Sequence, residues 1–259
     1  MQEIQPIFVD SVPSTNEAVK ALAREGAPEG VMMVARMQTH GYGRLSRAFF
    51  SPPDTGLYMS LLLRPQFPAE RAPLLTHAAA LAVRNAIAEV SGRDAAIKWV
   101  NDVYLDGKKA AGILVESALA PDGGVAYAVL GIGVNLFAPD CGFPPQLSHV
   151  TALFPHERKR EYHDLRDALI RAILRHFARL YDAFPATDFL DDYRARMLLI
   201  GKSVLVYDAL TDREKQGKGT PARALDVTES GALLVEYEDG RREALAAGEV
   251  TLKENAGTF

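Results

Sequence analysis

A chain of 259 residues that is 48% hydrophobic and 24% charged has ordinary globular composition and is long enough for one large domain with a smaller companion. Its formal charge of -4 argues against bulk nucleic acid as the main partner, because neutralising phosphates needs clustered cations. A single cysteine, Cys141, excludes an intrachain disulfide framework and a cysteine-cluster metal site; no apolar run nears the roughly 18 residues of a membrane helix, and the first residues lack the basic flank of a secretory signal, so a cytoplasmic protein is expected.

Taken in order, Pro6 to Val9 reads as a short strand, and Asp10-Ser11-Val12-Pro13 as a turn into a helix whose apolar face carries Ala18, Val19, Ala21 and Leu22 and which Gly26 closes. Val31 to Ala35 and Leu57 to Leu63 read as buried strands, with a long loop from Thr39 to Thr55 between them. Ala69 to Val90 is alanine-rich with helical spacing and predicts a long packed helix with its charges mainly on the outer face. Ala96 to Trp99, the turn Asp106-Gly107, and the stretches Ala111 to Ala120 and Val125 to Val134 predict strands, the last two an antiparallel hairpin. Tyr162 to Phe184 repeats apolar residues at helical spacing until Pro185, and a short helix reaching Met197 follows. Beyond Gly201 the texture changes to short alternating segments (Ser203 to Tyr207, Ala222 to Val227, Leu233 to Tyr237), which predict a small β-barrel over residues 200–259 behind a larger domain over 1–199.

Four clusters could carry chemistry. Ser14-Thr15-Asn16 heads a helix; Ser14 and Glu17 have capping-box spacing, and on spacing alone the cap is the favoured reading over a polar ligand site. In the long loop, Gln38 to Arg47 combines glycines with Arg44 and Arg47, suited to an anion, but without the spacing of a phosphate-binding Gly-x-x-x-x-Gly-Lys loop; a solvated loop is the alternative. Lys98-Trp99-Val100-Asn101-Asp102, followed by Lys108 and Lys109, brings cations, an amide and a carboxylate to a strand end, although each lysine taken singly is more often surface charge. Gly131-Ile132-Gly133-Val134-Asn135 carries strand glycines that suggest close approach of a ligand or another backbone. The six histidines have no metal-ligand spacing and no Gly-x-Ser-x-Gly elbow occurs, so neither a zinc site nor a serine hydrolase is expected.

In this order, Asp10 to Asn16, the Gly41 loop, Lys98 to Asp102, Lys109 to Leu114 and Gly131 to Asn135 resemble the bacterial biotin-protein ligases, and the resemblance runs on through Ser51-Pro52, Gly56 to Ser60 and Gly231 to Val235. It implies an α/β fold of the α+β kind: a mixed sheet with helices, related to class II aminoacyl-tRNA synthetases, plus a C-terminal SH3-like β-barrel. It further implies activation of biotin by ATP and Mg²⁺ to biotinyl-5′-AMP, then transfer to a lysine on the biotin carboxyl carrier domain of a carboxylase such as acetyl-CoA carboxylase. The residues carried over are Lys109, Arg44 and Asp102 for catalysis; Ser14, Thr15, Asn16, Gln38, Gly41, Tyr42, Gly43, Arg44, Lys109, Gly112 and Leu114 for biotin; and Arg44, Arg47, Phe49, Lys98, Asn101 and Asn135 for the nucleotide. No metal is fixed by the protein alone; Mg²⁺ arrives with ATP, near Asp102.

Three positions depart from the family pattern: Tyr42 replaces an arginine of the loop, Phe49 a tryptophan, and Val100 a proline. The first removes one cation, and makes a non-catalytic binder of biotin or its adenylate an alternative reading. A lipoate-protein ligase would share the fold and the lysine acceptor, but its arginine- and glycine-rich signature is absent. With only Met1 to Val9 ahead of the first motif, no N-terminal DNA-binding domain is expected, and either a monomer or a homodimer is compatible with the sequence.

Overall fold

The run Gly56–Leu63 has no polar alternation, and a strand of that kind must be covered on both faces. In a computed structural model of the protein, which describes residues 1–207 and 219–253, this strand (β3) is buried along all eight residues and sits near the centre of a seven-stranded sheet. The other members are β1 (Gln5–Val12), β2 (Val31–Gln38), β4 (Ala96–Lys98), β5 (Asp102–Leu105), β6 (Lys108–Leu119) and β7 (Val125–Asn135), in the order β1-β2-β3-β7-β6-β5-β4. Only β1 and β2 run parallel, and the crossover such a pair requires is α1 (Thr15–Arg24).

On the α1 face, Val19 and Ala23 pack with Val31, Met33, Leu62 and Val129. Each such fully buried aliphatic side chain contributes roughly 1.5–3 kcal/mol. The far end of the helix is held by Arg64, whose guanidinium donates to the carbonyls of Ala23, Ala27 and Ala126. A cation at that end satisfies carbonyls the helix leaves unpaired and complements its dipole.

Helix α2 (Leu74–Ser91) packs on β4, β5 and β6 and is itself covered by α3 (Tyr162–Asp182), which explains why it is apolar nearly all round. Its charges were expected mainly on the outer face, and Arg84 is an exception: it is 7% exposed, because its guanidinium donates to the Ala95 carbonyl and pairs with Asp94. Between β5 and β6, Asp106 (φ 49) and Gly107 (φ 75) make a two-residue turn of the kind tight hairpins need. Among the described residues no helix is long and apolar enough to cross a membrane.

The chain divides into two compact units, Met1–Ala186 and Thr187–Phe259. The division precedes the change of texture at Gly201 because α4 (Phe189–Ala195) packs on the strand Thr220–Val227 of the second unit. That unit is a five-stranded antiparallel sheet, β11-β10-β9-β8-β12, of β8 (Ser203–Tyr207), β9 (Thr220–Val227), β10 (Leu233–Tyr237), β11 (Arg242–Leu245) and β12 (Glu249–Leu252), consistent with the SH3-like barrel. The last two strands are not readable in the sequence: Arg-Glu-Ala-Leu has little strand propensity of its own, and forms β11 by pairing with β10. Residues 208–218 and 254–259 of the expected barrel lie outside the described residues.

Candidate active site

Residues directly paired across a sheet share a face. One such row runs Lys98, Asp102, Gly112, Gly133, Tyr58, and the next runs Leu114, Gly131, Ser60. Three glycines thus strip the side chains from the middle of the face that α1 covers, and distant residues move in. A Cβ on Gly131 would lie 2.1 Å from Asn16 Oδ1, and one on Gly133 would lie 2.5 Å from Phe49 Cζ. A Cβ on Gly112 would meet Lys109 Nζ at 3.2 Å and Phe49 Cε2 at 3.4 Å. Close approach does occur at Gly131 and Gly133, but by the side chains of Asn16 and Phe49 rather than by the ligand or backbone expected from the sequence.

At one end lies a polar set built from the head of α1 and the end of β2. The Thr15 amide donates to Gln38 Oε1 (2.8 Å), Gln38 Nε2 donates to Ser51 Oγ (3.0 Å), and Ser51 Oγ donates to the Phe49 carbonyl (2.9 Å). Buried Ser60 donates to Asn16 Oδ1 (2.6 Å) and lies 2.8 Å from Thr15 Oγ1. Gly41 is held against the same group: a Cβ there would lie 2.8 Å from Gln38 Nε2 and 2.9 Å from the backbone oxygen of Phe49, so only glycine fits. The capping box predicted at Ser14 does not form. Ser14 is the N-cap but makes no side-chain cap hydrogen bond, since Glu17 turns instead to Lys20 and Tyr42.

Behind this set, Glu116 of β6 accepts hydrogen bonds from Asn16 Nδ2 (2.8 Å), Tyr42 OH (2.9 Å) and Lys20 Nζ (2.9 Å). Burial pushes its carboxyl up, and these three donors more than offset that, leaving it below the usual glutamate range. For Lys20 burial pushes down and its carboxylate partners prevail, so the ammonium is held well above its ordinary value. Burial and the neighbouring carboxylates raise the Tyr42 phenol, which stays protonated as a donor. Lys20 and Glu116 carried no signal in the sequence, and Ser60 entered only as the end of the matched segment Gly56 to Ser60.

At the other end Lys109 Nζ lies 2.7 Å from Asp102 Oδ1. Strict alternation would turn Lys109 away from Gly112. A bulge between Val103 and Tyr104 shifts the β5–β6 register by one residue, so that Lys109 pairs with Tyr104 and joins the face of Asp102 and Gly112. Asp102 Oδ1 is buried, and the lysine contact does not satisfy hydrogen-bond geometry, so an acceptor direction on that oxygen is unspent. Among the described residues no three His, Cys, Asp or Glu side chains cluster as a metal site, so a cation here would need ligands from elsewhere.

The Thr39 to Thr55 segment is ordered at its tip: Gly43 N donates to Arg47 O (2.8 Å), Phe49 N to Gly41 O (2.8 Å), and Tyr42 bridges Ala48, making a small hairpin. From its turn Arg44 Nη1 reaches to 3.5 Å of Asn101 Oδ1, whose amide nitrogen donates to the Ile113 carbonyl (2.8 Å). Arg47 is exposed on the same turn. A cavity of about 70 Å³ opens beside Phe49, lined also by Phe50, Lys109, Asn135, Phe143 and His149. Lys98, paired across the sheet with Asp102, holds its ammonium 5.5 Å from the Tyr104 ring centre. Leu114 is half-buried next to Gly131.

Residues 8–135 match the model of the biotin/lipoate A/B protein ligase family. The chain is 34% identical over 239 residues to a biotin–[acetyl-CoA-carboxylase] ligase of Paracoccus denitrificans, covering 90% of this chain and 95% of that one. It is 33% identical over 242 residues to the bifunctional ligase/repressor BirA of Bacillus subtilis, covering 93% of this chain and 72% of that one. Its fold matches the Aquifex aeolicus biotin protein ligase in complex with biotin and ATP at a TM-score of 0.73 and 27% identity, over 96% of this chain and 98% of that one. Sequence and fold agree: the chain belongs to the biotin protein ligase family and is a ligase.

Proposed function

We propose that this ligase joins biotin to a specific lysine of a biotin carboxyl carrier domain, as of acetyl-CoA carboxylase, through biotinyl-5′-AMP made from MgATP. The observation that carries this reading is the pairing of two unlike ends across one glycine-lined stretch of sheet: neutral donors and acceptors at Thr15, Asn16 and Gln38, and cations at Lys109 and Arg44. Such a layout suits a ligand with a polar uncharged head, an apolar middle and a carboxylate tail. Ser14, Thr15, Asn16 and Gln38 would bind the ureido head, and Gly112 and Leu114 would flank the tail.

In the first step a carboxylate oxygen of biotin attacks the α-phosphorus of ATP; the bond to the bridging oxygen breaks, and pyrophosphate leaves with its electron pair. Lys109 would stabilise charge shared between carboxylate and α-phosphate, and Arg44 would do so from the Gly41–Gly43 hairpin. In the second step the neutral amine of the carrier lysine attacks the acyl carbon, the acyl–oxygen bond breaks, AMP leaves, and the amine proton passes to solvent by way of Asp102. The cavity beside Phe49 and Asn135 is where the nucleotide would lie, with Arg47, Lys98 and Asn101 toward its phosphates. Mg²⁺ bound with ATP supplies neutralisation of the phosphates; the unspent acceptor on Asp102 suits it, because this ion typically takes one or two carboxylates and fills its shell with phosphate oxygens and water. A hairpin closed over the anhydride would keep water from it.

The test is exchange of labelled pyrophosphate into ATP with biotin or lipoate, followed by a streptavidin blot of purified carrier domain. Exchange with biotin and a labelled carrier are expected. Exchange with lipoate alone, or none with either acid, overturns the proposal.

A further inference from the structure

The geometry points to Tyr42 as the catch of a latch that holds the 41–49 hairpin against the sheet before any ligand binds, with Lys20, Glu17 and Glu116 as its keeper. The inference rests on the reading of this pocket as the biotin site only where it speaks of ligand.

Tyr42 lies between the two backbone pairings that close the hairpin, so fixing its side chain fixes the strip that carries Arg44. Its hydroxyl lies 2.5 Å from Glu17 Oε1 and 2.9 Å from Glu116 Oε2, and accepts from Lys20 Nζ at 3.1 Å. Lys20 is only 14% exposed at its side chain, and its ammonium also reaches Glu17 (2.6 Å) and Glu116 (2.9 Å), which uses all three of its N–H donors. Two carboxylates and one ammonium leave the keeper with an excess negative charge, and a neutral phenol that donates to it is well matched.

The latch also reaches the pocket. The Glu116 oxygen that receives Tyr42 receives Asn16 Nδ2 as well, and Asn16 is bonded to Ser60. One carboxylate oxygen therefore joins the hairpin to the wall of the head-group pocket. Tyr42, Lys20 and Glu116 act here as positioning residues: they order the hairpin in advance, so that a ligand need not supply the free energy of ordering it.

The experiment compares the full chain with Tyr42→Phe and Lys20→Met. Trypsin cleavage after Arg44 and Arg47, followed by mass spectrometry without ligand, reads the open population when opening is fast relative to cleavage. Loss of a hydrogen bond to a charged partner predicts cleavage in the hairpin about tenfold faster in either variant. The double variant should be little faster than the singles, because they disable one device. The kinetic signature is a rise in KM for biotin larger than any fall in kcat. Hairpin cleavage at the parent rate in Tyr42→Phe overturns the latch. So does a rise matched at sites throughout the chain, which would mean general loosening. If hairpin cleavage rises but biotin with MgATP protects neither protein, the latch stands and the biotin reading falls.

Discussion

Gly131→Ala is the sharpest single probe of how this site is assembled. The backbone at Gly131 is not in the left-handed region, so alanine is conformationally allowed there, and by restricting the unfolded chain it would favour folding by about 0.4–1 kcal/mol. Against that, the added carbon would lie 2.1 Å from Asn16 Oδ1, 2.8 Å from Cγ and 3.0 Å from Nδ2. All three amide atoms are in the way, so the whole side chain must leave. Its departure breaks the bond to ionised Glu116, worth about 1.5–3 kcal/mol, and the bond from Ser60, worth about 0.5–1.5 kcal/mol. The net expected loss is about 1–4 kcal/mol. In an Asn16→Ala background the obstacle is already gone, and the same substitution should be neutral or slightly stabilising. A double-mutant cycle should therefore return a coupling energy of about 2–4.5 kcal/mol, the two broken bonds without the unfolded-state gain common to both backgrounds. Denaturant unfolding followed by fluorescence of Trp99, the only tryptophan and a buried residue of the first unit, measures it. An equal cost of Gly131→Ala in both backgrounds would refute the argument.

Three further outcomes are expected. Lys109→Ala should lower biotin-dependent pyrophosphate exchange by about a hundredfold or more, the usual scale for removing one preorganised charge partner, with the circular dichroism spectrum unchanged; near-parent exchange would show that Lys109 has another role. Asp102→Asn should raise the Mg²⁺ concentration giving half-maximal exchange several-fold, and an unchanged Mg²⁺ titration would remove Asp102 from the cation's surroundings. Glu116 has a folded-state pKa below its ordinary value, so its contribution to stability is complete above the unfolded pKa and is lost as pH falls through the folded one. The stability gap between the parent and Glu116→Gln should accordingly be widest near neutrality and close below the usual carboxylate range; a gap that widens on acidification would contradict the assignment.

Most strands and helices that carry the site were readable because their apolar runs are long and their breaks are marked by glycine, proline and Asp106-Gly107, but the four-residue β5 that carries Asp102 was not, being too short for a pattern. Gly131 and Gly133 announced close approach, but not what approaches. Asn16 and Phe49 come from other segments, and Glu116 meets Asn16 across 100 residues of sequence. Pairwise proximity of that kind leaves no local pattern. The Ser14-x-x-Glu17 spacing pointed to a cap because local chemistry favours one, and tertiary partners of Glu17 prevailed. Lys109 illustrates a third kind of opacity: alternation alone assigns it to the wrong face, and the bulge that corrects this is a property of strand pairing. The burial of Arg84 was opaque for the same reason, its carbonyl partner at Ala95 being visible only after folding.

The arginine at the far end of α1 has a bearing on how this protein is dissected by mutagenesis. Arg64 touches no candidate ligand group, yet it fastens the helix whose other end presents Ser14, Thr15 and Asn16, a span of about 15 Å for ten residues. A scan that scores variants by ligation alone would rank Arg64 among the binding residues and draw the pocket too large. Scoring each variant for abundance as well as activity would return Arg64 to the scaffold and leave the ligand contacts with the residues that line the glycine rows.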